Sequence, residues 1–138
     1  VIGLVLVSHG RLADALLETA SEIVGPFERA RSLAVSRSES LVDIEQRIRA
    51  AIRQVDGGDG VLILADMFGG TASNVALQLV GQHHVEVITG ANLPMLLKVA
   101  TAIDTATDLP ALAQLLKFYG QRNVLVASEL LKEREQDG

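Results

Sequence analysis

The sequence opens on a strand that leaves no face for water. Val1-Ile2-Gly3-Leu4-Val5-Leu6-Val7 is aliphatic throughout and then stops at Ser8-His9-Gly10. Without apolar/polar alternation, such a run must be covered on both faces, as in a parallel sheet flanked by helices. From Arg11 the apolar spacing becomes helical, so His9 falls where a core strand ends and a helix begins. Open α/β sheets bind their ligands at that edge.

The rest of the chain repeats the alternation. A first helix is expected over residues 11–24, with Leu12, Leu16, Ala20 and Ile23 on one face and Gly25-Pro26 ending it. A weaker strand is expected over residues 29–35. Ser40 with Asp43 then resembles a capping box ahead of a second helix whose apolar stripe is Leu41, Ile44, Ile48, Ile52 and Val55. After the glycine-rich turn at residues 57–60, residues 61–65 form a second buried run, which ends in Asp66. The loop Met67-Phe68-Gly69-Gly70 opens a third helix reaching Gly81, and residues 85–89 read as a fourth strand. His83-His84 precedes that strand, at the edge away from His9, and reads as solvated. Two further helices carry proline in their first turn, at Pro94 behind an Asn92 cap and at Pro110 behind Asp108. Leu112, Leu115 and Leu116 line the last of these, and Gly120 is expected to end it. Residues 123–127 read as a short final strand, and the charged residues 129–138 as a fraying tail. The expected class is α/β: a doubly wound, mostly parallel sheet in the order 2-1-3-4 with helices on both faces, in one domain over residues 1–128.

Composition removes several functions. There is no cysteine, so disulfide and thiol chemistry are out, and a reducing cytoplasm is compatible. A net charge of −5 with 3% aromatics provides neither a basic face nor a stacking platform for nucleic acid. No apolar run approaches the length of a membrane span, and the N-terminal run lacks the basic leader of a signal peptide.

What remains is a constellation. If the first and third strands are neighbours, His9 and Asp66 share one crevice at the topological switch point. Two helices begin there, after Gly10 and after Gly70, and their free N–H groups make an anion site, with hydroxyls from Thr71 and Ser73 nearby. A carboxylate holding one imidazole nitrogen leaves the other as a nucleophile, and a nucleophilic histidine can take a phosphoryl group. The chain has neither G-x-x-x-x-G-K-[ST] nor G-x-G-x-x-G, so a phosphoryl donor other than a nucleotide is called for. No metal and no cofactor is needed.

Three motifs together, Val5-Leu6-Val7-Ser8-His9-Gly10, Asp66-Met67-Phe68-Gly69-Gly70-Thr71-Ala72-Ser73-Asn74 and Gly90-Ala91-Asn92-Leu93-Pro94-Met95-Leu96, resemble the mannose-family EIIA domain of the bacterial sugar phosphotransferase system. The resemblance covers essentially the whole chain. It implies a cytoplasmic phosphohistidine carrier that takes its phosphoryl group from phospho-HPr and gives it to a histidine of a separate EIIB partner, touching the membrane only through the transporter complex. His9 matches the phosphorylated histidine, Asp66 the acid that orients it, Ser8 a Thr or Ser position, and Thr71 a hydroxyl near the phosphoryl group. It also implies a homodimer that exchanges a final antiparallel strand, here residues 123–127. Ala72 departs from the pattern, since several relatives carry proline there.

Other readings of the same residues stay open at this point. Asp66 fits a turn former or cap as well. Gly69 and Gly70 fit plain turn positions, and Ser73 fits a helix cap better than a phosphate contact. Arg11 fits a phosphate neighbour or an ordinary solvated arginine. Phe68 fits a docking surface or simple packing on the sheet edge. At the level of function, a stand-alone regulatory module using the same phosphorylation is one rival. A small hydrolase or ligand-binding module using a His9–Asp66 dyad, with Ser8 the only adjacent nucleophile candidate, is another.

Overall fold

The computed structural model describes residues 1–82 and 84–137, so His83 lies outside the described residues. Four strands, β1 (Gly3–His9), β2 (Ala30–Val35), β3 (Val61–Ala65) and β4 (Val85–Thr89), form one sheet in the order β2-β1-β3-β4. All three pairings are parallel. Six helices are interleaved with them or follow them: α1 (Leu12–Val24), α2 (Leu41–Val55), α3 (Thr71–Leu79), α4 (Leu93–Ala102), α5 (Leu109–Arg122) and α6 (Ala127–Asp137).

The unalternating strands are explained by two separate cores. Val5, Val7 and Ile63 pack on one face of the sheet with Ile44, Ile48 and Ile52 of α2 and Val75 and Leu79 of α3. Leu4, Leu6, Leu62 and Leu64 pack on the other with Ala13 and Ala20 of α1, Leu96 and Val99 of α4, and Leu112 and Leu116 of α5. Residues of opposite parity along β1 and β3 are therefore both buried, and a polar position on either face would lose its water. Caps fix where the helices begin. The side chains of Ser40, Asn92 and Asp108 accept from the N–H groups of Asp43, Met95 and Ala111, at 3.1, 3.0 and 3.0 Å.

The apolar stripes are shorter than their spacing predicts. Leu41 is exposed because it is the first residue of α2 and stands at the rim of the sheet, ahead of the core layer. Leu12 and Ile23 are exposed at the two ends of α1, and Leu115 is exposed on α5. Gly120 does not end α5, which continues to Arg122. A Cβ there would lie 2.7 Å from Met95 Cε and 3.2 Å from Asn92 Nδ2, so this glycine lets α5 lie close against the start of α4.

The final antiparallel strand expected over residues 123–127 is absent. The segment leaves α5, makes local bonds and enters α6 at Ala127. Val124 N–H donates to Gln121 O, and Val126 O accepts from Glu129 and Leu130. Strand propensity from Val124-Leu125-Val126 is outweighed because their backbone is satisfied by local bonds at the end of α5 and the start of α6, and they pair with no strand edge. The charged tail from Glu129 is helical. It continues α6, as expected of a run of strong helix formers (Leu130, Leu131, Lys132, Glu133) with Glu129 and Lys132 three residues apart.

Candidate functional site

Adjacency of β1 and β3 decides the site. Val7 is in register with Ala65, so the residues that follow, His9 and Asp66, emerge at the same C-terminal rim although 57 positions apart. Asp66 Oδ2 accepts both the backbone N–H of His9 and His9 Nδ1, each at 2.9 Å. Its Oδ1 accepts the N–H of Met67 at 2.9 Å. A carboxylate only accepts, so Nδ1 carries a proton, and in the neutral ring Nε2 keeps a free lone pair. Burial works to raise the Asp66 pKa. The hydrogen bonds from the His9 N–H, the His9 ring and the Met67 N–H, with the attraction of the His9 ring, outweigh it and hold the group below its ordinary value. Asp66 is thus a charged acceptor at neutral pH. Its side chain is 10% exposed and that of His9 41%, so the orienting group is sheltered while the ring is partly open to solvent.

Gly70 closes the site from the other side. It is the N-cap of α3, and its Cα abuts the ring: an added Cβ would lie 2.4 Å from His9 Cε1 and 3.2 Å from Nε2. The free nitrogen therefore stands beside the first turn of α3, whose leading N–H groups have no partner within the helix. Thr71, the first residue of that helix, is exposed. Ser73 is buried, and its hydroxyl donates to Gly70 O at 3.0 Å. It fastens the turn and is turned away from solvent. Ala72 is buried against the α2–α3 core. Gly69 has φ +88°, a backbone conformation that makes the preceding loop turn sharply and that glycine alone adopts cheaply.

On the β1 side, Gly10 has φ +56°, and its N–H donates to Val35 O at 3.1 Å. That amide is already engaged by the sheet. Arg11 is 84% exposed, with Nε 3.7 Å from Asp14 Oδ2. Ser8 is buried, accepts Ala13 N–H at 2.7 Å and donates to Gly10 O at 3.2 Å. Its hydroxyl caps α1 from three residues before the cap position proper, a role that spacing rules for caps do not look for. Both of its hydrogen-bonding roles are occupied, which removes the basis for Ser8 as a nucleophile. Met67 and Phe68 are exposed beside the site, 52% and 73%. His84 is exposed at the far end of the sheet, next to the start of β4. Among the described residues, no group of three or more His, Asp or Glu is placed to hold a metal ion. No helix among them is long and apolar enough to cross a membrane.

Residues 3–116 match the EIIA-man family, described as the PTS system fructose IIA component. The chain belongs to the mannose family of EIIA components of the sugar phosphotransferase system. This EIIA chain is 32% identical over 124 residues to the PTS system mannose-specific EIIAB component of Escherichia coli, covering 89% of the chain and 38% of that relative. It thus spans well under half the length of that longer protein. It is 27% identical to the PTS system fructose-specific EIIA component of Bacillus subtilis, covering 96% of the chain and 90% of the relative. Among solved structures it is similar to the mannose/sorbose specific IIA subunit from Enterococcus faecalis, with a TM-score of 0.81 and 30% identity over 90% of the chain and 92% of the neighbour. It is also similar to the PTS IIA protein associated with the fucose utilization operon of Streptococcus pneumoniae, with a TM-score of 0.82 and 27% identity over 94% of the chain and 96% of the neighbour. Membership places this EIIA chain within the phosphotransferase system.

Proposed function

We propose that His9 carries the phosphoryl group. Nε2 attacks the phosphorus of phospho-HPr in line. The Nε2–P bond forms as the donor's N–P bond breaks, and the donor imidazole keeps that electron pair. Asp66 keeps the proton on Nδ1 throughout, and so stabilises the positive charge that develops on the ring. In the second half-reaction a histidine of a separate EIIB partner attacks the same phosphorus, and His9 is the leaving group. The observation that carries this reading is the 2.9 Å bond from His9 Nδ1 to Asp66 Oδ2, with Nε2 left beside the N-terminus of α3.

The transferring oxygens face the leading amides of α3, from Thr71 onward, with the Thr71 hydroxyl beside them. Gly69 and Gly70 shape that turn and Ser73 fastens it. Arg11 adds positive charge from the rim, and Gly10 lets β1 turn into α1. Catalysis is then positioning and electrostatics, with no metal and no cofactor. The EIIB partner passes the group on for sugar uptake, and the carrier works in the cytoplasm.

A second copy of the chain completes the surface. Val124, Leu125 and Val126 are 80%, 62% and 57% exposed in succession just after α5, and a homodimer contact would cover them. Sedimentation of the wild type against Leu125→Asp reads this directly; a monomer for both removes the dimer.

The carrier itself is tested by incubating the chain with purified phospho-HPr and reading intact mass. We expect an acid-labile gain of one phosphoryl group, lost in His9→Ala and returned to HPr or passed to EIIB on mixing. No gain with the cognate donor would leave the family fold without the chemistry.

A further inference from the structure

Gly70 has ordinary extended backbone angles, φ −81° and ψ 163°, which any L-residue adopts. Nothing in its conformation requires glycine, unlike Gly69 beside it. The requirement comes from space: the Cβ that any other residue carries would stand 2.4 Å from His9 Cε1, 3.2 Å from Nε2 and 3.4 Å from Met67 Cγ. Carbon atoms do not approach to the first of these distances, so ring or loop must move.

The ring has little freedom to do so. Its Nδ1 is held by Asp66 Oδ2 at 2.9 Å, and the same oxygen is held by the His9 backbone N–H. Cε1 lies between the two ring nitrogens. A push on Cε1 therefore turns the ring away from Asp66, away from the α3 amides, or both. The alternative is for the loop to retreat, but Gly70 is bonded into the first turn of α3, its carbonyl accepting Asn74 N–H at 2.9 Å and the buried Ser73 hydroxyl at 3.0 Å, and Ala72, Val75 and Leu79 hold that helix in the core.

The geometry points to Gly70 as a positioning residue that acts through His9. Its missing side chain is the slot that keeps the imidazole on Asp66 and sets Nε2 against the start of α3. This deepens the carrier reading above and rests on it. It also assigns Gly70 a role different from binding phosphate: Gly70 fixes the nucleophile, and the residues after it receive the phosphoryl group.

The test uses two substitutions that place the same Cβ but differ as helix caps. Gly70→Ala removes a tolerated N-cap residue, and Gly70→Ser supplies a preferred one. Two readouts are taken. One is the rate of phosphoryl transfer from phospho-HPr. The other is the two-bond ¹⁵N–¹H spectrum of the His9 ring, assigned with His9→Gln, which reports which nitrogen carries the proton. We expect both variants to lose the Nδ1–H signature and to transfer about 10²-fold more slowly, the cost of misplacing a reacting atom by an ångström or so. Gly70→Ser should regain thermal stability without regaining rate. In an Asp66→Ala background, where the ring is already released, Gly70→Ala should cost far less than in the wild type.

Either of two results overturns the assignment. One is a Gly70→Ala chain that keeps the wild-type ring signature and rate. The other is recovery of rate in Gly70→Ser, which would make Gly70 a cap and nothing more. If the wild type takes no phosphoryl group at all, the carrier reading fails alone, because the ring spectra still decide whether Gly70 positions His9.

Discussion

Removing the Asp66 carboxylate separates its two contributions, one to the fold and one to the chemistry. Asp66 accepts three hydrogen bonds, two from His9 and one from Met67, each at 2.9 Å. In Asp66→Ala the ring, 41% exposed, can turn to water, and Met67 is exposed as well. The donor left stranded is the His9 backbone N–H at the end of β1. Leaving one such donor unpaired costs about 1–3 kcal/mol, a fall in Tm of roughly 3–10 °C for a chain of this length. The effect on transfer is larger. The neutral ring then divides between tautomers, which costs less than about tenfold, and loses its fixed direction, which costs about 10²-fold. The sum is a loss of about 10²–10³-fold in single-turnover transfer from phospho-HPr.

Asp66→Asn tests whether orientation or charge dominates. With its carbonyl oxygen toward His9, the amide still accepts both His9 donors. Its NH₂ then faces the Met67 N–H, where the exposed loop can shift to water. The bonds survive at roughly half strength, so we expect a loss of about tenfold with the Nδ1–H tautomer retained. Rapid-quench transfer with intact-mass detection measures all three proteins. An Asp66→Ala chain as fast as the wild type refutes the orienting role. An Asp66→Asn chain as slow as Asp66→Ala refutes orientation as the main term and leaves charge.

The remaining expectations are narrower. Because Asp66 titrates lower in the folded chain than its ordinary 3.8, the unfolded chain binds the extra proton as pH falls, and the stabilising share of Asp66 is lost through the folded value. In thermal melts the advantage of wild type over Asp66→Asn should therefore stay level from about pH 7 to about pH 5 and shrink only in acid, below the ordinary carboxylate range; an advantage that shrinks already near neutrality refutes this. Ser8→Ala removes the acceptor of the Ala13 N–H at 2.7 Å and should destabilise the fold by about 0.5–2 kcal/mol while His9 is still phosphorylated; loss of phosphorylation in a folded Ser8→Ala chain would give the hydroxyl a chemical role. Transfer from purified phospho-HPr should be unchanged by EDTA, since amides at the α3 N-terminus supply the positive potential; a strict metal requirement in that step counts against the mechanism.

The ends of β1 and β3 at His9 and Asp66 were legible because they follow from local signals, and the order β2-β1-β3-β4 because it is a common one for this class of fold. Unalternating runs mark β1 and β3, and each is followed at once by a polar residue and a helix. Capping side chains at Ser40 and Asn92 were legible for the same reason, since their partners lie three residues away, and so was the helix start near Asp108. Contacts that depend on packing were less visible. Leu41 and Leu115 have the right spacing for a core but sit at a helix end or beyond the reach of the sheet. Gly120 reads as a stop signal until α4 is seen to occupy the space its side chain would need. The engagement of the Gly10 amide by Val35 depends on the β1–β2 register, which no local pattern encodes.

Residues 123–127 differ from these in kind. Their sequence has the composition of a strand, yet in the single chain they form none, and three apolar side chains face solvent. Propensity says which conformation a segment takes when its backbone has a partner, and here the segment pairs with no strand. The site is the opposite case. His9, Asp66 and Gly70 satisfy one another within one chain, so the orientation of the nucleophile does not wait on a partner. The single chain should therefore accept a phosphoryl group as a monomer, and dilution below any dimer dissociation constant should leave the first transfer step intact. A transfer rate that collapses with dimer dissociation would mean that the second copy reaches into the site.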